Sequence, residues 1–117
     1  MPLEAPSAHN YLWVDHRVYT IRLRKMGDFL NLFDRMALPA LLATMGAPLG
    51  FHVSQVGQLN QFYHQWGYDS LAQYEACCKA RDAHPEFVAY LAASVDLITA
   101  QESALIRRVE LAGLKNR

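Results

Sequence analysis

The chain has 117 residues, no formal net charge at neutral pH, and a composition of 52% hydrophobic and 19% charged residues. These values predict one globular domain and exclude a disordered chain. Without a surplus of basic residues, nucleic acids and anionic membrane surfaces are poor candidates as partners. No apolar run approaches the ~20 residues that cross a bilayer, and the first residues lack a signal-peptide pattern, so we expect a cytoplasmic protein.

The first half of the chain predicts a strand followed by a long helix. We expect residues 1–12 to form a flexible arm, residues 13–110 the folded domain, and residues 111–117 a tail. Tyr11–Leu23 alternates and is rich in β-branched and aromatic residues, which is typical of a strand. Met26–Met45 has apolar residues at helical spacing, and Pro39 within it should kink the helix.

The second half predicts a hairpin, two helices and a last strand. Leu49–Val56 and Asn60–Tyr68 are strand-like segments joined by a short link that contains glycine. A capping-box pattern, Ser70-x-x-Gln73, opens a helix that His84-Pro85 interrupts, and a further helix follows the proline. Glu102–Val109 is predicted as the fourth strand, although it could instead extend the last helix.

The strand that ends at Tyr68 carries the most informative pattern. Phe62, His64, Trp66 and Tyr68 have the same parity, so a strand would point all four to one face of the sheet. The register of the hairpin stays open, and a shift of one residue decides whether His52 shares that face.

The element order β-α-β-β-α-α-β is typical of an α+β, ferredoxin-like split βαβ fold. Such a fold has a four-stranded antiparallel sheet with its helices on one face. The other face needs a cover, and a second copy of the chain is the simplest one. We therefore expect a homodimer that forms through the open sheet face, and no partner that is a nucleic acid or a membrane.

Short motifs follow one another along most of the chain in an order typical of one family. They are Arg17-x-Tyr19-Thr20; Lys25-Met26 followed by Phe29-Leu30; Ala37-Leu38-Pro39; Gly50-Phe51; Gly57-x-Leu59-Asn60-Gln61; His64-x-Trp66-x-Tyr68; Arg81 followed by Pro85-Glu86-Phe87; and Gln101-Glu102-Ser103. Together they resemble the NIPSNAP family, within the dimeric α+β barrel superfamily, from about Val14 to Ile106.

The resemblance has three departures and one clear implication. The family usually has Pro-Gly where this chain has Leu23-Arg24, an acid where it has His84, and Trp where it has Phe87. The resemblance implies a barrel-forming dimer but no defined reaction, because the family's molecular activity is undefined. Superfamily relatives include cofactor-free oxygenases, isomerases and haem-binding enzymes, which is an analogy of fold only.

In superfamily relatives the pocket lies between sheet and helices, so polar residues on the helix-facing side are the candidates. Arg17 has the charge and donors to hold a ligand oxygen, or it forms a structural ion pair with Glu102 or Asp69. Tyr19 lies two residues further on the same face. His64 is the candidate catalytic base, with a hydrogen-bonded core histidine as the alternative.

The remaining candidates are ligand-binding residues: Trp66, Tyr68, Gln101 and Glu102. No histidine, cysteine or carboxylate spacing typical of a metal site is present, and neither is a phosphate-binding or dinucleotide motif. We therefore expect no metal and no cofactor, with haem as a further alternative.

Two functions from different classes follow. The first is a dimer with a pocket for a small apolar or carbonyl-containing ligand, in which Arg17, Tyr19 and His64 act on an oxygen. The second is a non-catalytic interaction module, whose pocket would be filled by its own side chains. The sequence leaves open whether the protein is an enzyme.

Overall fold

The computed structural model describes residues 11–115, and the predicted arm lies almost wholly outside them. Its strands are β1 (Trp13–Ile21), β2 (Ala47–Val53), β3 (Gln61–Tyr68) and β4 (Ile98–Arg107). Its helices are α1 (Met26–Leu32), α2 (Leu38–Thr44), α3 (Leu71–Ala83) and α4 (Pro85–Ser94), with a π-helical turn at Phe33–Ala37 and a short 3₁₀ turn at Ala112–Leu114.

The four strands form one antiparallel sheet in the order β2-β3-β1-β4. This arrangement confirms the predicted α+β, ferredoxin-like fold. The two central strands, β1 and β3, pair with Arg17 opposite His64 and Tyr19 opposite Phe62. The hairpin pairs Phe51 with His64 and His52 with Tyr63, so His52 lies on the other face from His64.

The helix predicted over Met26–Met45 is one helical stretch with a π turn in its middle. Pro39 cannot donate a backbone hydrogen bond, and its ring crowds the carbonyl four residues earlier. The widened turn directly precedes the proline, and the Leu38 N–H donates to the carbonyl of Phe33, five residues back. The predicted kink is therefore accommodated as a π turn, a feature that often lies at functional sites.

Both later helices begin as their sequences predict. The Ser70 hydroxyl accepts a hydrogen bond from the Gln73 N–H at 3.0 Å, which caps α3. The His84 imidazole accepts from the Glu86 N–H at 3.2 Å, and Pro85 occupies the first turn of α4.

The fourth strand starts earlier than predicted. Ile98 pairs with Ile21, so β4 is a ten-residue edge strand rather than the segment Glu102–Val109. The β-branched residues Ile98 and Thr99 follow α4 closely, so the apolar pattern of the helix continues into the strand and hides its start.

The helices cover one face of the sheet and leave the other face open. The buried aromatic core joins β1 and β3 to the first helical stretch and to α4; its largest members are Trp66, Tyr68, Phe29, Phe33, Phe62, Phe87 and Tyr90. By contrast, nearly all of β4 is exposed on both faces. No helix within residues 11–115 is long and apolar enough to cross a membrane.

Candidate functional site

A cluster of polar side chains lies inside the aromatic core. Arg17 on β1 and His64 on β3 are direct cross-strand neighbours, and Tyr19 lies one position further along the same face. The rings of Tyr19 and His64 meet edge to face with their centroids 4.8 Å apart. The structure thus brings together the three residues that the sequence suggested for catalysis.

Arg17 forms an ion pair with Asp15, two residues earlier on β1. The guanidinium Nε donates to the Asp15 carboxylate at 2.8 Å, and the two side chains are 16% and 1% exposed. The predicted ion-pair partners, Glu102 and Asp69, were wrong. Glu102 lies on the opposite face of the sheet, because it pairs with Val18 rather than with Arg17.

Two neighbours stabilise the charge on Arg17. Burial opposes that charge, but interactions with Tyr19 and Asp15 outweigh it and raise the pKa of Arg17. The guanidinium therefore stays cationic at every pH at which the protein is folded. Because the Asp15 carboxylate is its ion-pair partner, the pair adds a local dipole rather than a net charge.

The protonation state of His64 follows from its partner Trp66. The indole N–H of Trp66 donates to Nδ1 of His64 at 2.9 Å, and both side chains are 1% exposed. Burial, and secondarily the positive charges of Arg17 and His16, lower the pKa of His64 to about 3. His64 is thus neutral near pH 7, with its Nδ1 lone pair occupied and its proton on Nε2.

Nε2 of His64 is buried and has no hydrogen-bond partner among the residues that the structure describes. The second carboxylate oxygen of Asp15 is in the same situation. Buried polar atoms without a hydrogen bond are rare in folded proteins, because the missing bond costs free energy. Each of these two atoms therefore calls for an explanation in terms of function or of a bound molecule.

An apolar cleft borders this cluster on the side of the π turn. It has a volume of about 510 Å³ and is lined by Leu30, Asn31, Phe33, Asp34, Leu38, Phe51 and Phe62. Three of these rings also surround His64, with centroid distances of 5.1 Å to Phe62, 5.5 Å to Phe33 and 6.3 Å to Phe51. One layer of aromatic rings therefore separates the cleft from the buried histidine.

The other predicted ligand-binding residues are distributed over the sheet. Trp66 joins the cluster through its hydrogen bond to His64. Tyr68 is fully buried beyond Trp66, against the Tyr74 ring of α3 at 5.2 Å, and burial raises its pKa. Gln101 pairs with Tyr19 across β1 and β4 and is exposed, whereas Glu102 faces away from the cluster.

Sequence reasoning missed Asp15 and the residues of the cleft. Asp15 has the same parity as Arg17 and Tyr19, so the alternation of β1 could have placed it on the helix-facing side. Asp34 and Phe51 gave no such signal, because the π turn and the register that place them were not predictable. In residues 11–115, no group of histidines, cysteines and carboxylates could hold a metal ion.

Comparisons with known proteins place the fold firmly. A NIPSNAP protein from Agrobacterium tumefaciens with unknown function has a TM-score of 0.82 at 19% identity, over 96% of this chain and 99% of its own. A second NIPSNAP protein from that organism also reaches 0.82, at 25% identity over 90% and 100%. A protein from Nitrosomonas europaea named after the antibiotic biosynthesis monooxygenases has a TM-score of 0.59 at 10% identity, over 81% and 96%.

A comparison with curated proteins found no match. The similarity to solved structures shows the fold of this chain, and it does not identify a reaction. The family model described as NIPSNAP matches residues 14–112, which is nearly the whole described chain. This protein belongs to the NIPSNAP family.

Proposed function

We propose that the protein is a homodimer that binds a small carbonyl-containing or aromatic molecule between its sheet and its helices. The observation that carries the proposal is the buried His64, whose Nε2 lacks a partner beside an apolar cleft. Arg17 and Tyr19 would hold the ligand oxygen together with His64, and Trp66 would orient the imidazole.

The homodimer is supported by the uncovered face of the sheet. This face presents apolar side chains between polar ones; they are Val14, Val18, Tyr63, Ala104 and Ile106. Its polar groups bond to one another along the surface, as in the 2.6 Å hydrogen bond from the Tyr63 hydroxyl to Gln61. A partly apolar face whose polar groups hydrogen-bond to one another is suited to an isologous contact with a second copy.

A specific observation favours the second candidate, a non-catalytic interaction module. The apolar cleft beside the cluster does not have Arg17, Tyr19 or His64 in its lining. Under this alternative, the ion pair and the His64–Trp66 bond only specify the packing of the core.

Ligand binding is tested with a variant that removes the cation without leaving a buried charge behind. Replacing both partners, Asp15→Leu with Arg17→Met, substitutes apolar groups for the ion pair and should keep the fold. Small aromatic ketones and hydrocarbons are titrated by calorimetry against this variant and the wild type. We expect binding to the wild type and at least about tenfold weaker binding of the ketones to the variant. If no compound binds the wild type, the interaction module becomes the better proposal.

The dimer is tested by placing a charge on the open face. Val18→Lys would bury two like charges in a two-fold interface, while the monomer tolerates a lysine close to Glu102. We expect the dimer dissociation constant from sedimentation to rise by about 100-fold or more. Leu42→Lys, at a site 55% exposed on α2, is the control and should leave the dimer unchanged. A wild type that sediments as a monomer would contradict the proposal.

A further inference from the structure

The direction of the His64 imidazole is set by its neighbours on β3. Nδ1 points toward Trp66, which follows His64 in the strand. In an imidazole ring Nε2 lies on the side opposite to Nδ1, at the tip away from the backbone. Nε2 thus lies away from Trp66. The cleft-lining rings nearest to the imidazole are Phe62, which precedes His64 in the strand, and Phe33 on the helical layer, with centroids 5.1 and 5.5 Å away.

The same two phenylalanines form the inner wall of the cleft. Phe51 completes this wall from the edge strand β2; its ring is parallel to His64, and 40% of the residue is exposed. A ring on an edge strand with one side in solvent can turn aside more easily than the rings of Phe33 and Phe62, which are nearly fully buried. Phe51 is thus the movable wall between the cleft and His64.

The charges around this route favour an uncharged ligand. The lining of the cleft contains one charged residue, Asp34, and no basic one. Deeper in, Asp15 neutralises Arg17 at 2.8 Å, and the imidazole itself carries no charge. A carboxylate would meet the field of Asp34 without a free cation to compensate the loss of its hydration.

We propose that the cleft binds a neutral aromatic or aliphatic ketone, aldehyde or quinone, whose carbonyl oxygen accepts a hydrogen bond from Nε2–H of His64. This inference rests on the proposed function and names the ligand class of the same site. His64 then acts on the ligand as a hydrogen-bond donor, rather than as the base suggested by its type, because the lone pair that a base needs is held by Trp66.

Three naphthalenes of the same shape separate the alternatives. The probes are 2-acetylnaphthalene, with a neutral acceptor; 2-isopropenylnaphthalene, without an acceptor; and 2-naphthoate, with an anionic one. Calorimetry should show the acetyl compound binding about tenfold more tightly than the isopropenyl compound, as one buried hydrogen bond provides. The naphthoate should bind more weakly than the acetyl compound.

The matched variant replaces both hydrogen-bonding partners, His64→Phe with Trp66→Phe, because removal of one alone leaves the other unsatisfied. It should bind the acetyl and isopropenyl compounds equally. In the wild type, the His64 Nε2–H resonance should shift with the acetyl compound and not with the isopropenyl compound. This second readout does not depend on the folding of the variant.

Each contrary result has a distinct meaning. Equal wild-type affinity for the acetyl and isopropenyl compounds would overturn the hydrogen bond and would leave Nε2–H satisfied by an N–H···π contact with Phe33. If the naphthoate binds most tightly, the proposal of a neutral ligand is wrong, whereas the proposal of a small-molecule pocket still holds. If neither the wild type nor Phe51→Ala, which removes the movable wall, binds any probe, this inference and the proposed function both fail.

Discussion

The two faces of the sheet are built from alternate residues of the same strands, yet they differ in almost every physical property. On the helix-facing side of β1 and β3, Tyr19, His64 and Trp66 are nearly fully buried and their rings pack together. On the open side, Val18, Tyr63 and Glu102 are half-buried or exposed. One side is a packed core, and the other is a partly exposed surface.

The difference shows on which side of the sheet this fold buries charged and titratable side chains. Polar groups on the open side bond to each other, as Tyr63 does with Gln61, or are exposed. On the closed side every charge is paired or suppressed, as Asp15 with Arg17 and the neutral His64 show. Substitutions at the two faces should therefore have very different consequences.

Acidification should give the largest effect, and it should come from the closed side. The pKa of His64 is lowered from 6.5 to about 3 in the folded protein, so the unfolded chain binds a proton that the folded one excludes. Above pH 6.5 the neutral His64 makes its full contribution to the free energy of unfolding. That contribution is lost as the pH falls toward 3, because only the unfolded chain takes up the proton. The loss amounts to about 4–5 kcal/mol.

The measurement is the free energy of unfolding in urea at several pH values, for the wild type and for His64→Phe with Trp66→Phe. Because the carboxylates titrate in both proteins, the difference between the two curves isolates His64. Parallel curves between pH 6.5 and pH 4 would show that His64 titrates normally.

Loss of the buried carboxylate should rank second. Asp15→Ala leaves the Arg17 cation without its partner inside the core, which we expect to cost about 3–5 kcal/mol of unfolding free energy. Glu102→Ala, on the open face of β4, is the matched control and should change stability by less than about 0.5 kcal/mol. Urea denaturation of both variants measures the difference, and equal effects would contradict the contrast between the faces.

A smaller loss of stability is expected from a side chain added on the closed side where two backbone segments lie close together. A Cβ added at Gly46, between α2 and β2, would overlap the carbonyl oxygen of Gly67 and lie 2.8 Å from the Tyr68 ring. Gly46→Ala should therefore cost about 2–3 kcal/mol. Gly27→Ala in α1 has nothing within 4 Å and should instead stabilise the protein by about 0.5–1 kcal/mol. Thermal unfolding distinguishes the two, and a neutral Gly46→Ala would show that the contact relaxes freely.

The smallest effect lies in an exposed turn that belongs to neither face. Arg24 has a φ of 67°, a left-handed conformation in which a side chain is strained. Arg24→Gly should raise the unfolding free energy by about 0.5 kcal/mol, because the relief of strain exceeds the gain in unfolded-chain entropy. Lys25→Gly, next to it with ordinary φ, should lower stability. Chemical denaturation of both variants checks the opposite signs.

Much of the fold was predictable from the sequence. The parity of Phe62, His64, Trp66 and Tyr68 correctly gave one buried face, since alternation is a local property of a strand. The cap at Ser70 and the break before Pro85 were likewise local. The departure from the family at Arg24 marked the turn that the structure shows in a left-handed conformation.

The candidate site was predictable only in part. Arg17 and Tyr19 share a strand, but their meeting with His64 depends on the β1–β3 register, which joins residues far apart in the sequence. Asp15 was missed because an acid in a strand is normally read as solvated. The cleft was hidden because it needs the π turn before Pro39, whose geometry follows from packing as well as from local preference.

The most direct test is the protonation of His64, followed by nitrogen NMR of the imidazole from about pH 8 to about pH 4. The structure predicts a neutral ring throughout, with the proton on Nε2 and with Nδ1 hydrogen-bonded to Trp66. Addition of 2-acetylnaphthalene should shift the Nε2–H signal. A ring that becomes charged near pH 6.5, or one that carries its proton on Nδ1, would contradict the buried donor at the centre of the site.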